Sequence, residues 1–484
     1  MQTFPKKPTF ILTLFLAVGF ATPSCNVVGE DYEEPDTNEI TPDDWNARLP
    51  EGLQRGEDPE SLADWWQQLG DPLLTTFIER AIEENRDLRA TLARMRQARA
   101  SRRLAGAQLL PQLGASGAGG RQDTGLGSQN YYNAGFDATW EIDLFGGLRR
   151  GVEAAEADLQ AAQQGLLDLL ISLTSEVALN YVEVRSFQER LAIARRNEEA
   201  QTETLQLVES REEAGLVDRR DLEQARANLS STRAQIPSLQ AGLTRARNSL
   251  AVLLGVLPGT LDEELATSEP LPEIPASVAV GVPAEALRRR PDVRAAERQL
   301  AAETARIGVA EADLYPRLAL DGSIGIGAAS ASGLFGSPTD IFNIGPRVTW
   351  NVFDFGRTRA RIEAQEAVAE EALALYEQSI LRAVEDVEGS VVDFAQEKLR
   401  QVELQNAVTS ARESRDLAQD QYRAGLIDFV VVLDAERTVL GLEDQQASSR
   451  ADSVGNLVRL YKALGGGWKA LESVPTESEA ETGG

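Results

Sequence analysis

Carboxylates are the only side chains this sequence supplies in numbers that could do proton chemistry. Asp and Glu total 76 against 48 Lys and Arg, a net charge of −28, with no histidine and a single cysteine, Cys25. Without histidine there is no imidazole base and no imidazole metal ligand. One cysteine cannot close a disulfide within the chain. Asp386 and Glu388 are spaced like a possible acid–base pair, but they sit in a charged helical pattern where solvation is the expected role. A Gly-rich phosphate loop ending in Lys-Ser/Thr, a nucleophile elbow and a Cys-x-x-Cys pair are all missing from the sequence. No catalytic residue, metal site or cofactor is expected. An acidic chain also lacks the basic face that nucleic acid needs, so no nucleic-acid partner is expected.

The elements that could position a functional group begin after a leader. Lys6 and Lys7 precede an apolar run from Thr9 to Ala21 that ends at Thr22-Pro23-Ser24-Cys25. The run has the length of a signal-peptide core and is too short to span a bilayer. It resembles a bacterial lipoprotein signal, with residues 1–24 removed and Cys25 the acylated first residue. Thr22 and Pro23 depart from the usual Leu and small residue. Asn26, in place of an aspartate, fits sorting to the outer membrane.

An internal duplication dominates the rest. Phe145-Gly146 recurs as Phe355-Gly356, Ala214-Gly215-Leu216 as Ala424-Gly425-Leu426, and Leu254-Gly255 as Leu464-Gly465, each 210 positions on (355 − 145). Pro111-Gln112-Leu113 recurs as Pro316-Arg317-Leu318, 205 positions on (316 − 111). A repeat this long is a duplicated domain. The expected organisation is an acidic segment 25–71, a first repeat 72–255, a linker 256–282, a second repeat 283–465 and a tail 466–484.

Each copy reads as helix, strand pair, very long helix, returning helix. The first helices are expected from Pro72 to about Gly106 and from Pro283 to about Leu314, since proline suits a first turn. Apolar and polar residues then alternate from Phe136 to Leu144 and from Val348 to Val352, which predicts strands with one greasy face. Partner strands are expected at Leu113–Gly120 and Leu318–Ile324, within strand regions of about 111–145 and 316–355. Gly- and Ser-rich turns are expected at Gly125–Asn130 and Ala328–Thr339. Helical spacing then runs unbroken to Glu213 and Arg423, about 67 residues each or ~100 Å. Gly215 and Gly425 turn the chain into shorter helices, about 218–254 and 428–464. Phe136, Ala138, Trp140, Ile142 and Leu144 would face lipid, while Asp137, Thr139, Glu141 and Asp143 would face water. Four such strands cannot close a barrel in one chain, and an open edge in lipid costs several kcal/mol per unpaired group. Closure needs further protomers.

The signal and single cysteine, the duplicated unit, the strand pairs ending in Phe-Gly-(Gly/Arg), the long helices and the Ala-Gly-Leu turns together resemble the TolC-like outer-membrane factors. The lipoprotein branch serving resistance-nodulation-division efflux pumps is the nearest resemblance. It implies a mainly α fold with a transmembrane β-barrel: a homotrimer, twelve strands, and a periplasmic α-helical tunnel anchored in outer-membrane lipid. It implies a passive exit duct for small molecules such as drugs, working with a periplasmic adaptor protein and an inner-membrane efflux pump. It also implies a gate. Asp434 matches the aspartate whose threefold ring narrows the tunnel, Val430 the apolar constriction one turn earlier, and Tyr422 and Arg437 the groups that tie neighbouring helices shut. The first copy carries Arg220, Gln224 and Ala227 at the positions of Val430, Asp434 and Arg437, so the constriction belongs to the second copy. The turns at Gly215-Leu216 and Gly425-Leu426 are the expected adaptor contacts. Two alternatives stay open on the residues: the channel of a type I protein-secretion system, and a lipid-anchored structural coiled-coil envelope protein.

Overall fold

The computed structural model describes residues 27–49, 53–54, 62–123, 127–280 and 283–467; the leader, Cys25 and the tail beyond 467 lie outside them. In chain order the elements are β1 (Leu53–Gln54), α1 (Pro72–Glu84), α2 (Arg86–Ala107), β2 (Gln112–Asp123), β3 (Ser128–Ile142), α3 (Gly147–Glu213), α4 (Arg219–Leu253), β4 (Val278–Ala279), α5 (Pro283–Arg289), α6 (Pro291–Ala312), β5 (Arg317–Ala328), α7 (Gly333–Gly336), β6 (Thr339–Thr349), α8 (Arg357–Arg423) and α9 (Phe429–Ala463). The chain divides into two compact units.

The first unit takes in the described residues up to Pro35 together with 95–162 and 295–376. Its centre is a four-stranded antiparallel sheet in the order β2-β3-β5-β6, two hairpins side by side. Paired residues share a face of a sheet. The row Phe136, Ile324, Phe342 and the row Ile142, Leu318, Val348 therefore lie on one side, and the row Asp137, Ser323, Asn343 on the other. The greasy side is bare: Phe342 is 78% exposed and Leu113 75%. On the polar side Ser116 Oγ donates to Asp137 Oδ2 at 2.6 Å, Thr139 Oγ1 to Asp321 Oδ1 at 3.1 Å, and Arg347 pairs with Asp321. The outer edges of β2 and β6 have no partner strand among the described residues. Gly135 and Gly325 face each other where the hairpins meet. A Cβ on either would come within 2.6 Å of a backbone oxygen across the pair, so the join requires glycine at both.

Trp140 and Trp350 each donate an indole N–H, at 3.0 Å, to a carbonyl just before a strand, Leu109 and Leu314 respectively. The two acceptors are repeat equivalents, which is why both tryptophans recur. The alternation around Val348–Val352 overextends the last strand, which ends at Thr349. The expected turn at Ala328–Thr339 contains the short helix α7, and the turn at Gly125–Asn130 is shortened because β3 starts at Ser128. Buried Arg150 holds the first described residues, donating to the Val28 and Gly29 carbonyls, while Val28 N donates to Phe145 O.

The second unit comprises the described residues of 36–94, 163–294 and 377–467. Its core includes Trp65 stacked on Tyr461 at 5.3 Å and Phe77 edge-on to Tyr181. Buried Arg185 and Gln188 bond the Thr267 and Leu265 carbonyls, fastening the linker as a belt. β1 and β4 add a parallel pair. Helix α3 contains a window apolar enough to cross a membrane, but 56% of that window is buried in protein, as suits a core helix.

The helices expected to run unbroken from Pro72 and Pro283 are each interrupted. The break falls at Asn85 in the first copy and at Arg290 in the second. Asn85 Oδ1 accepts from Leu88 N, capping α2, and its Nδ2 donates to Leu253 O at 2.9 Å. Arg290 donates to Ala463 O at 3.0 Å, and Leu253 and Ala463 are repeat equivalents. Both breaks therefore clasp the end of the returning helix. The acidic pair read as solvation is exposed at Asp386 and also makes contacts. Asp386 pairs with Arg290, and Glu388 accepts the backbone N–H groups of Asn46 and Ala47.

Candidate functional site: helix turns and gate

The two helix hairpins of the second unit, α3–α4 and α8–α9, carry the predicted site residues. At each turn a glycine adopts positive φ, 68° at Gly215 and 75° at Gly425. Leu216 N reaches back to Arg211 O, and Leu426 N to Gln421 O, closing the six-residue loop of a helix C-cap. The following leucines have nothing over them: Leu216 is 71% exposed and Leu426 74%. The chain thus holds two rigid turns, each presenting one apolar side chain.

The apolar run Phe429–Leu433 at the start of α9 divides by face. Phe429, Val432 and Leu433 are buried in a cluster with Val208, Leu222, Ala225, Ala418 and Tyr422. Val430 points away, 54% exposed, and Asp434 is exposed one helical turn later. An i,i+4 spacing places their side chains on one face. The structure thus brings Val430 and Asp434 together on a surface the protomer does not cover.

Arg437, exposed three residues after Asp434, continues that face, whereas Tyr422 is buried in the cluster beneath it. The Tyr422 ring is buried against Phe429 at 5.5 Å, and its hydroxyl has no partner among the described residues. Arg211, at the end of α3, closes over it: the guanidinium lies 4.6 Å from the ring centre and donates to the Tyr422 and Arg423 carbonyls at 2.8 and 3.0 Å. The tie at Tyr422 therefore runs through its ring and carbonyl. Arg437 Nε donates to Asn228 Oδ1 of α4 at 3.0 Å. Both contacts join the second repeat to the first.

Glu436, beside Arg437, is buried at 4% exposure. Thr204 Oγ1 of α3 donates to its Oε1 at 2.7 Å and Gln419 Nε2 of α8 at 3.3 Å; Asn228 Nδ2 of α4 reaches Oε2 at a long 3.5 Å. Burial pushes the carboxyl pKa up, against the downward pull of the Thr204 and Gln419 hydrogen bonds and of Arg415. Sequence reading missed Arg211, Asn228 and Glu436. Each is a polar residue in a long polar helix, and helical spacing alone does not separate a buried one from its solvated neighbours.

The chain has the features of an outer-membrane duct protein: a sheet greasy on one face and polar on the other, with both edges open, and long helix hairpins carrying an exposed carboxylate. The family model described as Outer membrane efflux protein matches residues 77–256 and 282–466. Among curated relatives, the pyoverdine export outer membrane protein OpmQ of Pseudomonas aeruginosa is 34% identical over 430 residues, 85% of this chain and 89% of OpmQ. The toluene efflux pump outer membrane protein TtgF of Pseudomonas putida is 30% identical over 487 residues, 96% of this chain and 99% of TtgF. The solved outer-membrane channel OprN superposes with a TM-score of 0.84 at 39% identity, covering 91% of this chain and 99% of OprN. The chain belongs to the outer membrane efflux protein family and is an outer-membrane efflux channel with the TolC-like fold.

Proposed function

We propose that this chain works as a homotrimer, a passive exit duct for small molecules that is gated at its periplasmic end. The observation that carries the reading is the four-stranded sheet of the first unit, with one greasy face and two unpaired edges. Backbone groups left unpaired in lipid cost several kcal/mol each, so other copies must supply the missing strands. Two copies would give eight strands, a barrel whose interior is filled by side chains. Three give twelve and leave room for a channel. An unpartnered stripe on α8 supports the same assembly. Leu381, Val392, Leu399, Val402 and Leu417 are exposed and fall within about 80° of one another at 3.6 residues per turn. A neighbouring copy covers that stripe.

In the trimer, Asp434 of three chains forms the constricting carboxylate ring and Val430 an apolar ring beside it. Three carboxylates on a narrow axis repel one another and attract cations. Tyr422 and Arg437 hold the helices that carry the rings. The turns at Gly215-Leu216 and Gly425-Leu426 offer leucines to a periplasmic adaptor, which links the duct to an inner-membrane pump. Cys25 carries the lipid; the fastened Val27–Gly29 segment supports a short tether to the sheet. Domain limits follow the duplication, 72–255 and 283–465. The pyoverdine and toluene named for relatives favour small molecules over a secreted protein as cargo. The amphipathic sheet counts against a purely structural tether.

Reconstituted into planar bilayers, the wild type should conduct poorly, and Asp434→Ala should raise conductance about tenfold or more. Equal conductance would remove Asp434 from the gate. Palmitate feeding should label the wild type and leave Cys25→Ser unlabelled; an unlabelled wild type would contradict acylation.

A further inference from the structure

We infer that Glu436 is a positioning residue for the gate: its carboxylate sets the orientation of the Asn228 amide, and that amide holds Arg437. The inference rests on the reading of α9 as the gating helix. A carboxylate can only accept hydrogen bonds, a guanidinium can only donate, and an amide does one at each end. Asn228 sits between the two, its Nδ2 toward Glu436 and its Oδ1 toward Arg437. Only this orientation suits both neighbours. Thr204 from α3 and Gln419 from α8 hold the carboxylate in place with donors of their own. No arginine bonds Glu436 among the described residues; the charge it feels from α8 is Arg415, itself bonded to Asp416. The position is peculiar to the second copy. Its first-copy equivalent is Arg226, 210 residues earlier (436 − 210), an exposed side chain that pairs with Glu209 and Glu223.

A glutamine at 436 keeps the shape but both donates and accepts. It therefore stops dictating which way Asn228 faces, and Arg437 loses its fixed acceptor. Stability moves the other way. Burial raises the Glu436 pKa above its unfolded value of 4.5, so its contribution to stability is full below that value and is lost as pH rises through the folded one. Wherever the pH holds the buried group charged, that charge carries a cost that glutamine removes.

The test uses the full-length trimer of wild type, Glu436→Gln, Asn228→Ala and Asp434→Ala, with closed-state conductance in planar bilayers and thermal melting read side by side. Glu436→Gln should melt no lower than wild type at pH 7.5, with any gain shrinking toward pH 4.5, yet conduct at least threefold more. Asn228→Ala should leak as well. Wild-type conductance in Glu436→Gln while Asp434→Ala leaks would overturn the inference and leave the gate standing. A leak accompanied by a lower melting temperature would also overturn it, since that is a loosened fold. Silence in both would overturn gate and inference together. A leak in Glu436→Gln alone would keep the inference and remove Asp434 from the constriction. If Glu436→Gln fails to assemble, Asn228→Ala decides by the same criteria.

Discussion

At the scale of single residues, the α8–α9 turn is tied by an arginine as well as by apolar contacts. Arg211 covers the last carbonyls of α8 and the Tyr422 ring at once. Hydrogen bonds from a charged donor are worth about 1.5–3 kcal/mol, and a cation over a ring adds about 0.5–1 at exposed sites. Arg211→Ala should therefore speed amide exchange around Ala424–Ile427 by about tenfold or more, since tenfold corresponds to ~1.4 kcal/mol. Unchanged exchange would mean that Arg211 ties nothing. Asp434 and Val430 were legible in the sequence through the resemblance, and the structure adds that they share an uncovered face. Arg211 was not legible: its counterpart in the other copy is Gln421, so the duplication does not mark it.

At the scale of elements, the long helices and returning helices were readable because a 3.6-residue period sustained over tens of residues admits no other structure. The helix breaks were missed. Asn85 and Arg290 interrupt helices of favourable composition, and the deciding contact, to Leu253 O or Ala463 O, is made with a residue more than 160 positions away. The local signals were present: Pro291 disfavours a helical conformation at Arg290, and Asn85 is a cap-forming residue, but neither shows the distant carbonyl it serves. Asn85→Ala should cost about 1–3 kcal/mol, because it strips a cap and leaves the half-buried Leu253 carbonyl without its donor. Arg102→Ala, which loses an exposed pair with Glu156, should change stability by less than ~1 kcal/mol. Melting of the two variants compares them directly, and an equal effect would refute the clasp. The sheet makes a second element-scale prediction. Gly135→Val should block appearance of the folded oligomer in outer-membrane fractions, because the Ile324 carbonyl leaves no room for a side chain. Gly117→Ala, with its nearest neighbour at 3.7 Å, should assemble normally.

At the scale of the molecule, the exposed apolar groups call for a membrane or a partner. Trp350, Ile344, Phe342 and Val348 stand on one bare side of the sheet region, and Leu399 and Val402 on α8 are likewise uncovered. Soluble monomers do not carry that much contiguous apolar surface without a partner or a membrane. The alternating pattern of Phe136–Leu144 already predicted a lipid face, whereas the lengths of the strands did not follow from it. β2 and the start of β3 are rich in Gly, Ser, Gln and Asn, and pair through backbone bonds that composition conceals. The most direct test of the central claim is the mass of the purified full-length protein in mild detergent, by light scattering with the detergent contribution subtracted. The account predicts three times the single-chain mass at micromolar protein. A stable, properly folded species of one chain's mass would contradict it.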